Sequence, residues 1–295
     1  SKERQHETIA TAIEHGVNWF DTAATYGNGV SERCLGQALL KSNVLDEVQI
    51  ATKVRLQPPD INDIPSAIRR SFDLSCDRLG VKHVTLLQLH NSVTSQRGDL
   101  PSSVGISDVI GSNGVAATFE QLRREGRVQH FGFTGLGDQA SLESVVDCGL
   151  FTAVQIPLNL LTPIAGRDSS AGSVDVDYLG LANRCQAKGI GVIAIRVMAG
   201  GALNQQPASD HTRKTKFFTH DLFQRDRARA DALQRAFAEQ TSVATASVRY
   251  VTGNLPVSTA LIGFANGGQV IDAVRCVDAG PLDDGELAVL DSLRP

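Results

Sequence analysis

The residues Trp19-Phe20-Asp21-Thr22-Ala23-Ala24-Thr25-Tyr26-Gly27 join a short apolar run to an acid and then to a phenol. The run reads as a strand that breaks at Asp21, so Asp21 and Tyr26 share one loop at the strand's end. A phenol titrates near ~10, too high to exchange a proton readily at neutral pH unless neighbours stabilise its anion. Two later strands supply such neighbours. Lys53 closes Gln49-Ile50-Ala51-Thr52-Lys53, and His90 closes Thr85-Leu86-Leu87-Gln88-Leu89-His90. A lysine after a strand is by itself a solvated rim charge, and a histidine there is by itself a hydrogen-bonded core residue. Successive strands that all end in ionisable groups describe a proton-transfer site instead.

The elements that must position these groups alternate almost from end to end. Ile9, Ala12 and Ile13 lie at helical spacing before Gly16. Ser31-Glu32-Arg33-Cys34-Leu35 reads as a capped helix start, with Leu35, Ala38 and Leu39 on its buried face. Gln49 to Val54 is a strand, Ile64 to Leu79 a helix ended by Gly80, and Val84 to His90 a strand. Asn91 to Val115, rich in Ser, Gly and Asp, reads as a long loop, of the kind that is often functional. A helix at Ala117 to Glu125 and a strand at Val128 to Phe133 follow, then a helix at Ser141 to Cys148 and a strand at Ala153 to Pro157. Tyr178 to Lys188 is helical, Gly191 to Ile195 a strand, and Asn204 to Thr219 a second long loop. Helices at Arg225 to Glu239 and Ala244 to Val251, a strand at Thr259 to Gly263, and helices near Gly268 to Val277 and at Asp284 to Leu293 complete the chain. Repeated βα units with apolar strands imply a parallel sheet covered by helices. In an α/β barrel the C-terminal strand ends face one bowl, where active sites are built.

At these residues the chain resembles the aldo-keto reductases: Asp21, Tyr26, Lys53 and His90 match that family's catalytic tetrad. The resemblance covers essentially all of residues 1–295 as a single barrel domain. It implies a TIM-type (β/α)8 barrel with long βα loops at its C-terminal face. The strands found here are one short of that barrel's eight, because the family's N-terminal hairpin and first barrel strand are not found ahead of the first helix. It also implies a nicotinamide-dependent oxidoreductase acting on an aldehyde, ketone or sugar, with Tyr26 as proton donor. Lys53 is expected to lower the phenol's pKa, Asp21 to hold Lys53, and His90 to hydrogen-bond the carbonyl oxygen. Two other readings are a cofactor-binding regulatory subunit with little turnover, and an unrelated barrel lyase or isomerase.

The hydride must come from a cofactor. No Gly-x-Gly-x-x-Gly follows a strand, so a Rossmann site is not indicated. The resemblance carries NADP or NAD contacts onto Asp21, Thr134, Gly135, Gln155, Asn159, Arg196, Met198, Gly201, Leu203, Gly263, Asn266 and Gln269. Small residues from Arg196 to Leu203 are expected to bring backbone amides to a pyrophosphate. Thr134-Gly135 stand where the family often has Ser-Asn, and Ile195 where it often stacks an aromatic. Members that prefer the phosphorylated cofactor place Arg or Lys near Ala265 and Asn near Ala273. Neither is present, so NAD or dual use is expected.

Composition narrows the remaining classes. A net charge of -4 gives no electrostatic ground for a nucleic-acid or anionic-membrane partner. Apolar runs such as Ile190 to Val197 are far shorter than a membrane helix needs. The polar start, Ser1 to Glu7, lacks the apolar core of a signal peptide. The five cysteines are scattered, without a Cys-x-x-Cys pair, which points to neither zinc nor a disulfide framework and suits a reduced, cytoplasmic setting.

Overall fold

A computed structural model describes residues 2–162, 176–208, 213, 220–237 and 241–293. The chain divides into two compact units. One comprises residues 1–155, 187–191 and 264–271, and the other residues 156–186, 192–263 and 272–295.

The first unit opens with α1 (Lys2–Glu14), β1 (Trp19–Asp21), α2 (Val30–Lys41), β2 (Gln49–Val54), α3 (Ile64–Leu79) and β3 (Val84–Leu89). Helix α3 shows why these segments fold as they do. Asp63 caps its start by accepting from Ser66 N at 3.2 Å, Pro65 lies in its first turn, and Gly80 ends it in the left-handed region at φ 72°. Ile64, Ala67, Ile68, Phe72, Cys76 and Leu79 recur at helical spacing and are buried. Burying a side chain such as Phe72 is worth about 1.5–3 kcal/mol. The start of α2 differs from the sequence reading. It begins at Val30 behind Gly29, and no side chain caps it. Ser31 instead accepts a bond from Thr22 at 2.9 Å. Glu32, fully buried, accepts from Thr52 Oγ1 and from Arg78 Nε, each at 2.6 Å. One carboxylate therefore ties α2, β2 and α3 together directly behind Lys53.

The strands of this unit are parallel. Asp21 pairs with Ala51, Lys53 with Gln88, and Gln88 with Gly132 of β6 (Val128–Thr134). Thr134 pairs with Gln155 of β7 (Ala153–Pro157). Side chains alternate along a strand, so Asp21, Lys53, Gln88, His90, Gly132, Thr134 and Gln155 share one face. Gly132 cannot be exchanged cheaply: a Cβ there would meet Ala153 O at 2.4 Å.

The segment 91–115 is not the structureless loop expected. It contains β4 (Val93–Thr94), β5 (Val104–Gly105), paired in parallel, and α4 (Ile106–Ile110) before α5 (Val115–Arg124). Asn91 exchanges two bonds with the backbone of Leu56 at 2.8 Å and donates to Ser102 O at 2.9 Å. The buried Asp108 accepts a forked pair of bonds from Arg97 at 2.7 and 2.5 Å and caps α4 through Gly105 N at 3.0 Å. Strand β4 also bridges to Gly137, where an added Cβ would lie 1.7 Å from Val93 O. The following helix is α6 (Gln139–Asp147), capped by Asp138.

The second unit holds most of α7 (Tyr178–Ala187) and of β8 (Gly191–Ile195), with Ala187 and Gly191 assigned to the first, and all of α8 (His220–Phe237), α9 (Val243–Arg249), β9 (Thr259–Ala260) and α11 (Asp284–Ser292), while α10 (Gly267–Asp278) is divided between the units. Strands β8 and β9 are parallel, with Ile193 opposite Thr259. β9 is shorter than the strand expected to Gly263. Its core gathers Leu160, Leu203, Phe223, Leu233, Phe237, Tyr250 and Leu290. Arg249 fastens α9 to the end of the chain through Glu286, at 2.5 Å, and the carbonyl of Pro281, at 2.7 Å. Residues 209–212 and 214–219 of the second expected loop lie outside the described residues.

Candidate active site

β1, β2 and β3 deliver Asp21, Lys53 and His90 to the same end of the first unit's sheet. Lys53 is the centre. Its side chain is buried, and its ammonium donates to Asp21 Oδ1, to Thr22 O at 2.9 Å and to Tyr26 Oη at 3.5 Å. Three protons meet three acceptors. The same nitrogen stands 4.9 Å from the centre of the Tyr26 ring. Burial opposes the charge on Lys53, but Asp21 and Tyr26, through charge and hydrogen bonds, outweigh it and hold the pKa above its ordinary value. Lys53 is thus a fixed cation.

Tyr26 remains 41% exposed, in contrast to the buried Lys53 beneath it. His90 follows β3 directly, its N–H bonded to Val54 O at 2.8 Å. Its ring lies edge-on to Tyr26, centroids 5.6 Å apart and planes at 81°. Burial first, then the positive charges of Lys53 and Arg55, push its pKa down to about 3. The imidazole is therefore neutral at ordinary pH.

Asp21 has further partners that the sequence reading did not single out. Its Oδ2 accepts from Gln155 Nε2 at 2.7 Å and from Gln88 Nε2 at 3.3 Å. Gln88 is fully buried, and its Oε1 has no partner among the described residues. The signal was present: Gln88 stands two residues before His90 and so on the same strand face. Thr25 was also passed over, although its Oγ1 lies 3.3 Å from His90 Nδ1.

The other expected contacts are distributed as follows. In the first unit, Thr134 spends its hydroxyl on Leu89 O at 3.1 Å, and Gly135 N donates to Gln155 O at 2.8 Å. Asn266 and Gln269 cap α10: Asn266 Oδ1 accepts from Gln269 N at 3.1 Å, and Gln269 Oε1 from Ala265 N at 2.7 Å. Gly263, in the second unit, has open space where a Cβ would stand.

Also in the second unit, Asn159 holds its own turn, accepting from Leu161 N at 2.9 Å and donating to Arg196 O at 3.1 Å. The amides of Ala199, Gly201, Ala202 and Leu203 bond within the turn after Arg196, at 2.7 to 3.4 Å, and Leu203 packs into the core. These four amides close the turn upon itself instead of pointing outward for a pyrophosphate. Met198 is half-buried at the head of this turn and accepts two of those bonds. Arg196 has φ 57°, and a Cβ on Gly200 would come within 3.2 Å of its guanidinium. Burial lowers the pKa of Arg196, raises that of Tyr178 to about 12 and raises that of Asp226 to about 6, with Arg196 opposing the last two shifts. Among the described residues no His/Cys/Asp/Glu group is arranged to hold a metal, and no helix is long and apolar enough to cross a membrane.

The sequence model of the Aldo/keto reductase family matches residues 1–295. L-galactose dehydrogenase of Arabidopsis thaliana is 25% identical over 272 residues, which cover 92% of this chain and 76% of that protein. D-threo-aldose 1-dehydrogenase of a Pseudomonas species is 27% identical over 181 residues, 50% of this chain and 51% of that protein. Among solved structures, the holo form of an aldo-keto reductase from Bacillus halodurans superposes with a TM-score of 0.74 at 18% identity, covering 100% of this chain and 88% of that one. An aldo-keto reductase of Klebsiella pneumoniae in complex with NADPH gives 0.68 at 21% identity, over 100% and 86%. These likenesses establish the α/β barrel fold.

Proposed function

The chain belongs to the aldo/keto reductase family, and from that premise we propose that it exchanges a hydride between a nicotinamide cofactor and a small carbonyl or alcohol substrate, with Tyr26 moving the proton. The carrying observation is the Lys53 ammonium, buried and shared among Asp21, Thr22 O and Tyr26 Oη. A bound nicotinamide supplies the hydride, which no side chain can.

The residues present fit such a group. The buried Gln155 carboxamide is held by one of its own N–H groups on Asp21, which fixes its oxygen as an acceptor. The N-terminus of α10, capped by Asn266 and Gln269, offers a phosphate the positive end of a 12-residue helix. Thr134 and Gly135 complete the contacts proposed in the first unit; the second unit's Gly263, Asn159, Arg196, Met198, Gly201 and Leu203 are carried by the family resemblance alone, and the amides of Gly201 and Leu203 are bonded within their own turn. No arginine or lysine occupies the first turn of α10, so the reading includes NAD or dual use.

In the reductive direction the exposed Tyr26 hydroxyl donates its proton to the substrate oxygen as negative charge develops there. The Lys53 cation favours the phenolate left behind, and Asp21 keeps that cation charged and aimed. Neutral His90 donates a hydrogen bond to the same oxygen and orients the substrate. In the oxidative direction the phenolate takes the alcohol proton. Two of the relatives are named for aldoses, which makes an aldose the first substrate to try.

Tyr26→Phe tests this reading. Turnover is expected to fall by about 10²–10⁴-fold, the usual worth of general acid–base catalysis, with cofactor affinity retained. Undiminished turnover would falsify the assignment.

A further inference from the structure

His90 is neutral, so it carries one ring proton, and which nitrogen holds it decides what the ring can do. With the proton on Nε2 the ring presents a donor on the side away from Nδ1. With the proton on Nδ1 it presents only a lone pair. The second form repels a substrate oxygen; the first attracts it.

Three contacts bear on the choice. The backbone N–H of His90 is bound to Val54 O at 2.8 Å, which sets the ring's root. The edge-on contact with Tyr26, at 5.6 Å and 81°, sets its plane. Thr25 Oγ1, one residue before Tyr26 on the loop that begins at Asp21, then reaches Nδ1 at 3.3 Å. A threonine hydroxyl rotates freely and can donate to a bare imidazole nitrogen. When that hydroxyl donates, Nδ1 is the acceptor and the ring proton sits on the opposite nitrogen.

We infer that Thr25 is a positioning residue that holds His90 in the tautomer with its proton on Nε2. The loop thereby serves twice. Tyr26 provides the proton that moves, and its neighbour sets the donor that does not. The link to turnover rests on the functional reading above; the tautomer assignment itself does not.

The test is long-range nitrogen–proton NMR of the full chain labelled in histidine, with His90→Asn identifying the His90 signals. In the unaltered protein, Nδ1 is expected bare and Nε2 protonated at neutral pH. Thr25→Val, which keeps the shape and removes the hydroxyl, is expected to give a mixture of tautomers. It should also lower kcat by about three- to tenfold, the worth of one neutral hydrogen bond, with cofactor affinity unchanged. Thr25→Ser is expected to restore both. A proton on Nδ1 in the unaltered protein overturns the inference. So do His90 signals that ignore the loss of the hydroxyl, or a tautomer change that leaves kcat untouched. An inactive protein whose His90 signals still follow Thr25 supports the tautomer assignment and counts against the functional reading alone.

Discussion

Gln155 Nε2 donates to Asp21 Oδ2 at 2.7 Å across 134 residues of sequence. The other carboxylate oxygen holds Lys53, so Asp21 is gripped at both ends. Gln155, a cofactor contact in the proposed reading, is thus bonded directly to the acid that holds the Lys53 ammonium. Whatever Gln155 binds through its oxygen is in contact with Asp21 through its nitrogen.

The buried Asp21–Lys53 pair should behave asymmetrically on mutation. Lys53→Met leaves a carboxylate without its cation, and breaking one side of a buried pair costs about 3–5 kcal/mol. The double variant Asp21→Leu/Lys53→Met is expected to lose less than the single one. Urea unfolding of both proteins checks the order, and an additive loss would contradict it.

Gln88→Leu removes a long bond to Asp21 together with an acceptor that has no partner among the described residues. Stability is expected to stay within about 1 kcal/mol of the parent, since the lost bond and the relieved orphan offset one another. Turnover should fall severalfold as Asp21 loses a donor. Gln88→Glu places a second carboxylate against Asp21 and should be clearly destabilised. Thermal melts beside initial rates separate these outcomes.

Acid stability should reflect two opposed groups. His90, at about 3 when folded against 6.5, leaves the unfolded chain binding the extra proton, so stability falls as pH drops through that window. Asp226, raised from 3.8 to about 6, binds its proton more readily when folded, so its contribution grows as pH drops from 6 towards 3.8. Each pH unit inside a window is worth about 1.4 kcal/mol per group. Between pH 6 and 4 the two should largely cancel. Asp226→Asn is expected to steepen the acid loss, and His90→Asn to reverse it. Melting temperatures across this range would expose a wrong sign in either.

Cofactor preference should be weak. A hydrogen bond to a charged partner is worth about 1.5–3 kcal/mol, which is roughly tenfold or more in affinity. The basic residue of α10, Arg275, sits in its last turn and pairs with Asp272 at 3.7 Å. Affinities for NADH and NADPH are therefore expected to agree within about tenfold. Fluorescence titration of each would decide, and a strong NADPH preference would count against the reading.

Strand ends and helical periods carried most of the fold. Asp21, Lys53 and His90 could be found because each is an ionisable residue where an apolar run stops. What escaped was either non-local or too short to show a period. Glu32 reads only as part of a helix start, and its buried pairing depends on Arg78, 46 residues on. Strands β4 and β5 have two residues each, below any pattern, and exist because Asn91 and Asp108 supply their framework. Gln88 and Thr25 were legible in position but not in kind, since neither is titratable and both work by hydrogen bonds to groups that are.

The crossing at Gly137 has a bearing on how this protein can change. A methyl group there would collide with the carbonyl of Val93, so the root of the 91–115 segment is stitched to the rim in a way few substitutions survive. Its tip is free of that demand: Gln96 to Asp99 and Pro101 are exposed. Selection can rewrite the tip while the stitching holds. Variation at the tip, Arg97 with its bond to the buried Asp108 excepted, can therefore accumulate without disturbing the strand ends that hold Asp21, Lys53 and His90.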